Sequence, residues 1–100
     1  MNNTKHNSIT AEGFYREGID GIWYLIVIIP SEQAKKHRLN EEIINQLYRG
    51  LIESDFRNVE FIKIRDKGCS FGALHLERIF VIKFTGERIC NENLSDCSEQ

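Results

Sequence analysis

Residues 18–30 read GIDGIWYLIVIIP: an Asp-Gly pair, an unbroken apolar run from Ile22 to Ile29, and the only proline of the chain. Asp-Gly between apolar segments is a strong hairpin signal, because a type I′ turn needs positive φ at both central residues. The run behind it is rich in β-branched and aromatic residues and stops at Pro30, which cannot donate to a ladder. With a two-residue turn, Ile19 faces Ile22, Tyr15 faces Ile26 and Phe14 faces Val27. Alternation then sends Ile22, Tyr24, Ile26 and Ile28 to one face of the strand, and Trp23, Leu25, Val27 and Ile29 to the other. Both sets are apolar, so both faces of the sheet call for cover. Leaving four such side chains in water forgoes about 1.5–3 kcal/mol each.

Downstream, only one strong helix is available to provide that cover. Leu39, Ile43, Ile44, Leu47, Tyr48, Leu51, Ile52 and Phe56 recur at three- and four-residue spacing, which predicts an amphipathic helix over about 41–54. Asn40 is its expected N-cap, with Leu39 stapling against Ile44 and with Glu41 and Glu42 in the first turn, where the dipole favours negative charge. Residues 31–38 read as a helical turn or a loop. NVEFIKIRD (58–66) and LERIFVIKFT (76–85) are two further strands, the latter with Leu76, Phe80, Ile82 and Phe84 on one face. Between them DKGCSFGALH (66–75) reads as a loop and as the best candidate for recognition. The order ββαββ predicts a single α+β domain, with a mostly antiparallel four-stranded sheet and one long amphipathic helix on one face. The domain is expected to span 12–89, between a polar segment at 1–11 and an acidic tail at 90–100, both expected to be disordered. The second sheet face is left for sheet curvature, the 66–75 loop, a second copy of the chain or a partner protein to close.

The totals narrow the function classes. A length of 100 residues suits one small domain with little stability to spare. A formal net charge of −2 argues against a generally basic nucleic-acid coat. MNNTKHNSITAE at the start has no apolar core for a secretory signal, and the eight-residue apolar run falls short of the ~20 that a membrane helix needs. Cys69, Cys90 and Cys97 are odd in number and irregular in spacing, which fits free thiols in the cytoplasm and neither a disulfide framework nor a metal site. No cofactor motif is present. Isoleucine occurs fourteen times and alanine three times, a bias toward AT-rich codons that is common in accessory genes.

Three readings follow. The first is a small cytosolic protein, not an enzyme, that acts by occupying a partner protein in the manner of an inhibitor, immunity protein or antitoxin. Tyr15, Trp23 and Tyr24 would anchor that partner, with Glu17, Glu60, Asp66, Phe71, His75 and Glu77 around them. A toxin or basic nuclease would suit the acidic members. The second is a nucleic-acid-binding regulator using Lys35, Lys36, Arg38, Lys63, Arg65 and Lys67, with Phe61 interleaved on the strand face of the last three. The third is a small thiol enzyme built on Cys69, His75 and Glu77. A homodimer through the uncovered sheet face is compatible with all three.

Overall fold

The computed structural model describes residues 10–71 and 76–89. The terminal segments 1–9 and 90–100, and with them Cys90 and Cys97, lie outside the described residues, as do positions 72–75. Strand β1 (Glu12–Glu17) turns into β2 (Ile22–Pro30); α1 (Ser31–Lys36) and α2 (Glu41–Asp55) follow, then β3 (Phe56–Phe71) and β4 (Leu76–Arg88). The sheet order is β1-β2-β4-β3, with every neighbouring pair antiparallel. The expected α+β architecture and ββαββ order are thus present, and of the two readings of 31–38, helical turn or loop, the helical one is realised as the short α1.

The sequence signals at the helix act as expected. The Asn40 side chain accepts a hydrogen bond from the Ile43 amide at 2.9 Å, and Leu39 and Ile44 are both buried. Helix α2 ends where Phe56 swings into extended conformation and buries itself, starting β3 directly. The helical layer covers one sheet face, where Leu25, Val27 and Ile29 of β2 and Phe80, Ile82 and Phe84 of β4 meet Ala34, Leu39, Ile44, Ile52 and Phe56. Each of these six strand side chains is at most 1% exposed. Their burial is the main stabilising term of so small a domain.

Two details depart from the sequence reading, and each has a physical cause. The Asp20-Gly21 turn forms with positive φ at both positions, 56° and 75°. However, Gly18 and Ile19 both bond to Ile22, through Gly18 N–H to the Ile22 carbonyl (2.7 Å) and Ile22 N–H to the Ile19 carbonyl (3.1 Å). This one-residue bulge slips the pairing, so Tyr15 lies opposite Leu25 and Phe14 opposite Ile26. Second, the expected 66–75 loop is strand over its described part, since β3 runs on to Phe71 and β4 starts at Leu76.

The long β3 keeps its contact with β4 by three register shifts, at Arg57/Glu60, Phe61/Lys63 and Asp66/Gly68. The third is braced from both sides. Asp66 accepts from Arg78 through Nε (3.0 Å) and Nη2 (2.6 Å) and from the Gly68 amide (2.9 Å), and its own amide donates to Glu41 Oε2 (2.8 Å). Gly68 takes φ +84°, a conformation that side chains resist. The Arg78 guanidinium beside Asp66 holds its carboxyl below the ordinary range.

Candidate functional site

The second sheet face has no helix on it. Ile22, Tyr24, Ile26 and Ile28 of β2 alternate away from the core and stay half-buried, next to Ile79, Val81, Lys83 and Thr85 of β4. Phe14 of β1, 49% exposed, adds to the apolar patch opposite Ile26. From β3 the register brings Lys63 opposite Lys83 and Arg65 opposite Val81. Lys67, next to the Asp66/Gly68 shift, reaches the same side. Tyr24, Lys63, Arg65, Lys67, Val81 and Lys83 line a hollow of about 250 Å³.

A neighbouring hollow of about 510 Å³ is shared by Lys67 and Val81 with Arg16, Glu17, Gly18, Tyr24 and Ile26. Lys67 and Arg16 belong to opposite edge strands, so side chains from both edges converge and the open face is concave. Curvature and long basic side chains thereby give part of the cover this face calls for. The isoleucines nevertheless remain accessible.

The electrostatics of this face are unbalanced. Among the described residues Lys63, Arg65, Lys67 and Lys83 form no ion pair; the pairs present are Arg49–Glu53 and Arg78–Asp66. Lys63 and Lys83 stand directly opposite one another, an arrangement that destabilises a sheet by a few tenths to about 1 kcal/mol. Glu60, opposite Thr85 on the same side, compensates none of them by ion pairing. A chain of net charge −2 thus gathers four uncompensated cations around one tyrosine.

The other residues singled out in the sequence are dispersed. Tyr15 and Trp23 lie on the helix side in an aromatic cluster with Phe56 and Phe84, at centroid distances of 5.0 Å (Tyr15–Phe56), 5.0 Å (Trp23–Phe56) and 4.9 Å (Phe56–Phe84). The Tyr15 hydroxyl donates to Asp55 Oδ2 at 2.6 Å, and Arg88 stacks over both the Tyr15 and Trp23 rings. Burial, then the Asp55 carboxylate, push the Tyr15 phenol above its ordinary pKa. These contacts tie both rings into the fold, so neither shares a surface with Tyr24.

Asp66 is engaged by Arg78, and Phe71, 77% exposed, sits at the far end of the β3–β4 hairpin opposite Leu76. Glu17 borders the larger open-face hollow, whereas Glu77 sits opposite Pro30 near the other end of β2, and His75 lies outside the described residues. Lys35 and Lys36 close α1 and Arg38 follows it, on the helical layer, so they are separated from Lys63, Arg65 and Lys67 by the sheet. The Phe61/Lys63 shift also turns Phe61 to the helix side, opposite Phe84 and under the Arg49 guanidinium, so the aromatic ring expected among these cations is Tyr24 instead. Cys69 pairs with Arg78 and touches Ser31 Oγ at 3.5 Å, while Glu77 pairs with Ser70, so alternation puts Cys69 and Glu77 on opposite faces. Among the described residues no group of His, Cys, Asp or Glu is arranged to hold a metal ion, and no helix is long and apolar enough to cross a membrane.

Sequence reasoning missed Lys83 and Val81. Alternation through LERIFVIKFT carries the signal for both, since Ile79, Val81 and Lys83 fall opposite the buried set Phe80, Ile82 and Phe84. Comparison with protein-family models, with curated proteins and with solved structures finds no match to this chain.

Proposed function

We propose that this chain is a protein-binding module that acts by occupying a partner protein, and that its open sheet face takes an apolar segment of the partner flanked by carboxylates. The observation that carries this reading is the contiguity of an accessible aliphatic floor (Ile22, Ile26, Ile28, Ile79, Val81) with cations that have no counter-ion among the described residues. An apolar centre beside a polar, charged margin is the usual anatomy of a protein interface. A bound carboxylate between Lys63 and Lys83 would convert their repulsion into two attractions, and Tyr24 beside them is an aromatic anchor of the kind that dominates interfaces. This charge sense favours an acidic partner rather than a basic nuclease. The acidic residues that would capture a basic one are spread over separate parts of the fold, and Asp66 is already paired.

Nucleic acid is the second reading, favoured by Tyr24 standing among the four cations. It accounts for the basic margin but not for the isoleucines, whose branched side chains give bases no flat surface on which to stack. The test is affinity capture from nuclease-treated lysate with wild-type protein and with Lys63→Glu/Lys83→Glu. A protein retained by wild type and lost by the double variant supports the proposal. Loss of all binding after nuclease treatment transfers the face to nucleic acid. A partner held equally by both forms assigns binding to another surface.

A further inference from the structure

The two edges of the sheet are defended unequally. The outer strand β3 carries three register shifts, which break the regular row of unpaired amides and carbonyls that another strand would need. The other edge, β1, pairs with β2 at six consecutive positions, Glu12 to Glu17, without a shift. EGFYRE has no proline or lysine, and among the described residues no element lies on its outer side. Gly18 N–H bonds to Ile22, so even-numbered residues of β1 aim their backbone groups at β2. Gly13 and Tyr15 therefore aim theirs outward, ready for a further strand.

We infer that β1 pairs antiparallel with β1 of a second copy of this chain, centred on Phe14, making one continuous eight-stranded sheet. A two-fold axis there places Gly13 opposite the second copy's Tyr15, the hydrogen-bonded pair that the backbone direction requires. The same register places Glu12 opposite Arg16, twice, and Phe14 opposite Phe14. All three side chains are exposed and on the open face. The strand is thus self-complementary in charge, and its exposed phenylalanine gains an apolar neighbour. Registers displaced by two residues keep the backbone bonds but lose both charge pairs. This pairing extends the open face without covering it, and it stands or falls independently of the partner proposed above.

The experiment is sedimentation equilibrium of the full-length protein, with circular dichroism as the check on folding. Glu12 and Arg16 form no side-chain hydrogen bond or ion pair among the described residues, so substitution there leaves the fold undisturbed. Wild type is expected to dimerise. Glu12→Arg and Arg16→Glu each place like charges opposite one another twice, and each is expected to weaken the dimer about tenfold or more. Mixed in equal amounts, the two variants regain opposite charges at both positions and are expected to form a heterodimer. Phe14→Lys, which sets two cations on the axis, is expected to be monomeric. A wild-type monomer at every concentration overturns the inference. So does a dimer unmoved by these changes, or two folded single variants that fail to associate on mixing.

Discussion

The two faces of the sheet share one alternation and end in opposite states. On the helix side Leu25, Val27, Ile29, Phe80, Ile82 and Phe84 are sealed, and the nearest charged groups are themselves paired or stacked, as with Asp66–Arg78 and Arg88 over the aromatic cluster. On the other side Ile22, Tyr24, Ile26 and Ile28 keep part of their surface in water beside cations that form no ion pair among the described residues. The first face seals its apolar side chains. The second leaves an apolar demand and an electrostatic one open at the same place. Stability therefore resides on one side of β2 and β4, and the surface proposed for binding lies on the other.

The sharpest way to break this contrast is truncation on each side. Phe84→Ala is expected to cost about 3–5 kcal/mol in urea unfolding, since it opens a cavity among Tyr15, Phe56 and Phe61. Ile26→Ala on the open face is expected to cost about 1 kcal/mol or less, because its surroundings are already partly water. Equal costs would mean that the open face is closed in solution.

Next in size is Tyr15→Phe, expected to cost about 1 kcal/mol by leaving the Asp55 carboxylate without the phenol. The Tyr15 pKa is raised in the folded protein, so its contribution is present below the unfolded tyrosine value, about 10, and lost as pH rises through the folded one. Wild type should consequently lose more stability than Tyr15→Phe above that pH. Stability curves that stay parallel there would contradict the hydrogen bond.

Lys63→Glu sharpens the comparison from the open side. It replaces a like-charge pair by an opposite one, so stability is expected to rise by about 0.2–1 kcal/mol while partner binding falls. A surface that gains stability when neutralised is one held in a costly state for another purpose. Lower stability in Lys63→Glu would show that the two lysines are already compensated.

The smallest effect concerns acid. The Asp66 carboxyl is depressed by Arg78, so its contribution is present above the unfolded aspartate value and lost as pH falls through the lower folded one. Asp66→Asn should therefore show a shallower loss of stability than wild type on acidification to about pH 3. Identical slopes would remove the ion pair from the account.

The covered face was legible in the sequence to a degree that the open face was not. The helix came from a 3.6-residue period, its start from Asn40, and the grouping of strand positions by face from alternation in IWYLIVII and LERIFVIKF, although both sets in IWYLIVII are apolar and alternation does not say which is sealed. What escaped were the places where one residue is inserted. The bulge at Gly18–Ile19 leaves the Asp-Gly turn intact, yet it flips β1 and moves Tyr15 from the open face to the core side. The shift between Phe61 and Lys63 separates a ring and a lysine that strict alternation would put together. The Phe61/Lys63 shift has no local residue signature, because it is fixed by pairing with β4, whereas the bulge sits on Gly18, where a Cβ would meet Tyr24 and the Ile22 carbonyl. The shift at Asp66/Gly68 also carries a readable signal, an acidic residue two before a glycine that takes positive φ, although DKG by itself reads equally as the start of a loop. The cation cluster depended on these insertions together with Lys83, and only the latter could be reached by counting along β4.

The proposed occupant of the open face is an acidic, apolar segment of another protein. The most direct test of this proposal is selection from a random peptide display library on immobilised wild-type protein, with Lys63→Glu/Lys83→Glu used to deplete peptides that bind elsewhere. Enriched peptides are expected to combine large apolar residues with Asp or Glu, and their binding to shift the backbone resonances of Tyr24, Ile26, Val81 and Lys83. Peptides without carboxylates, peptides that bind both forms equally, or shifts confined to the helical layer would contradict the proposal.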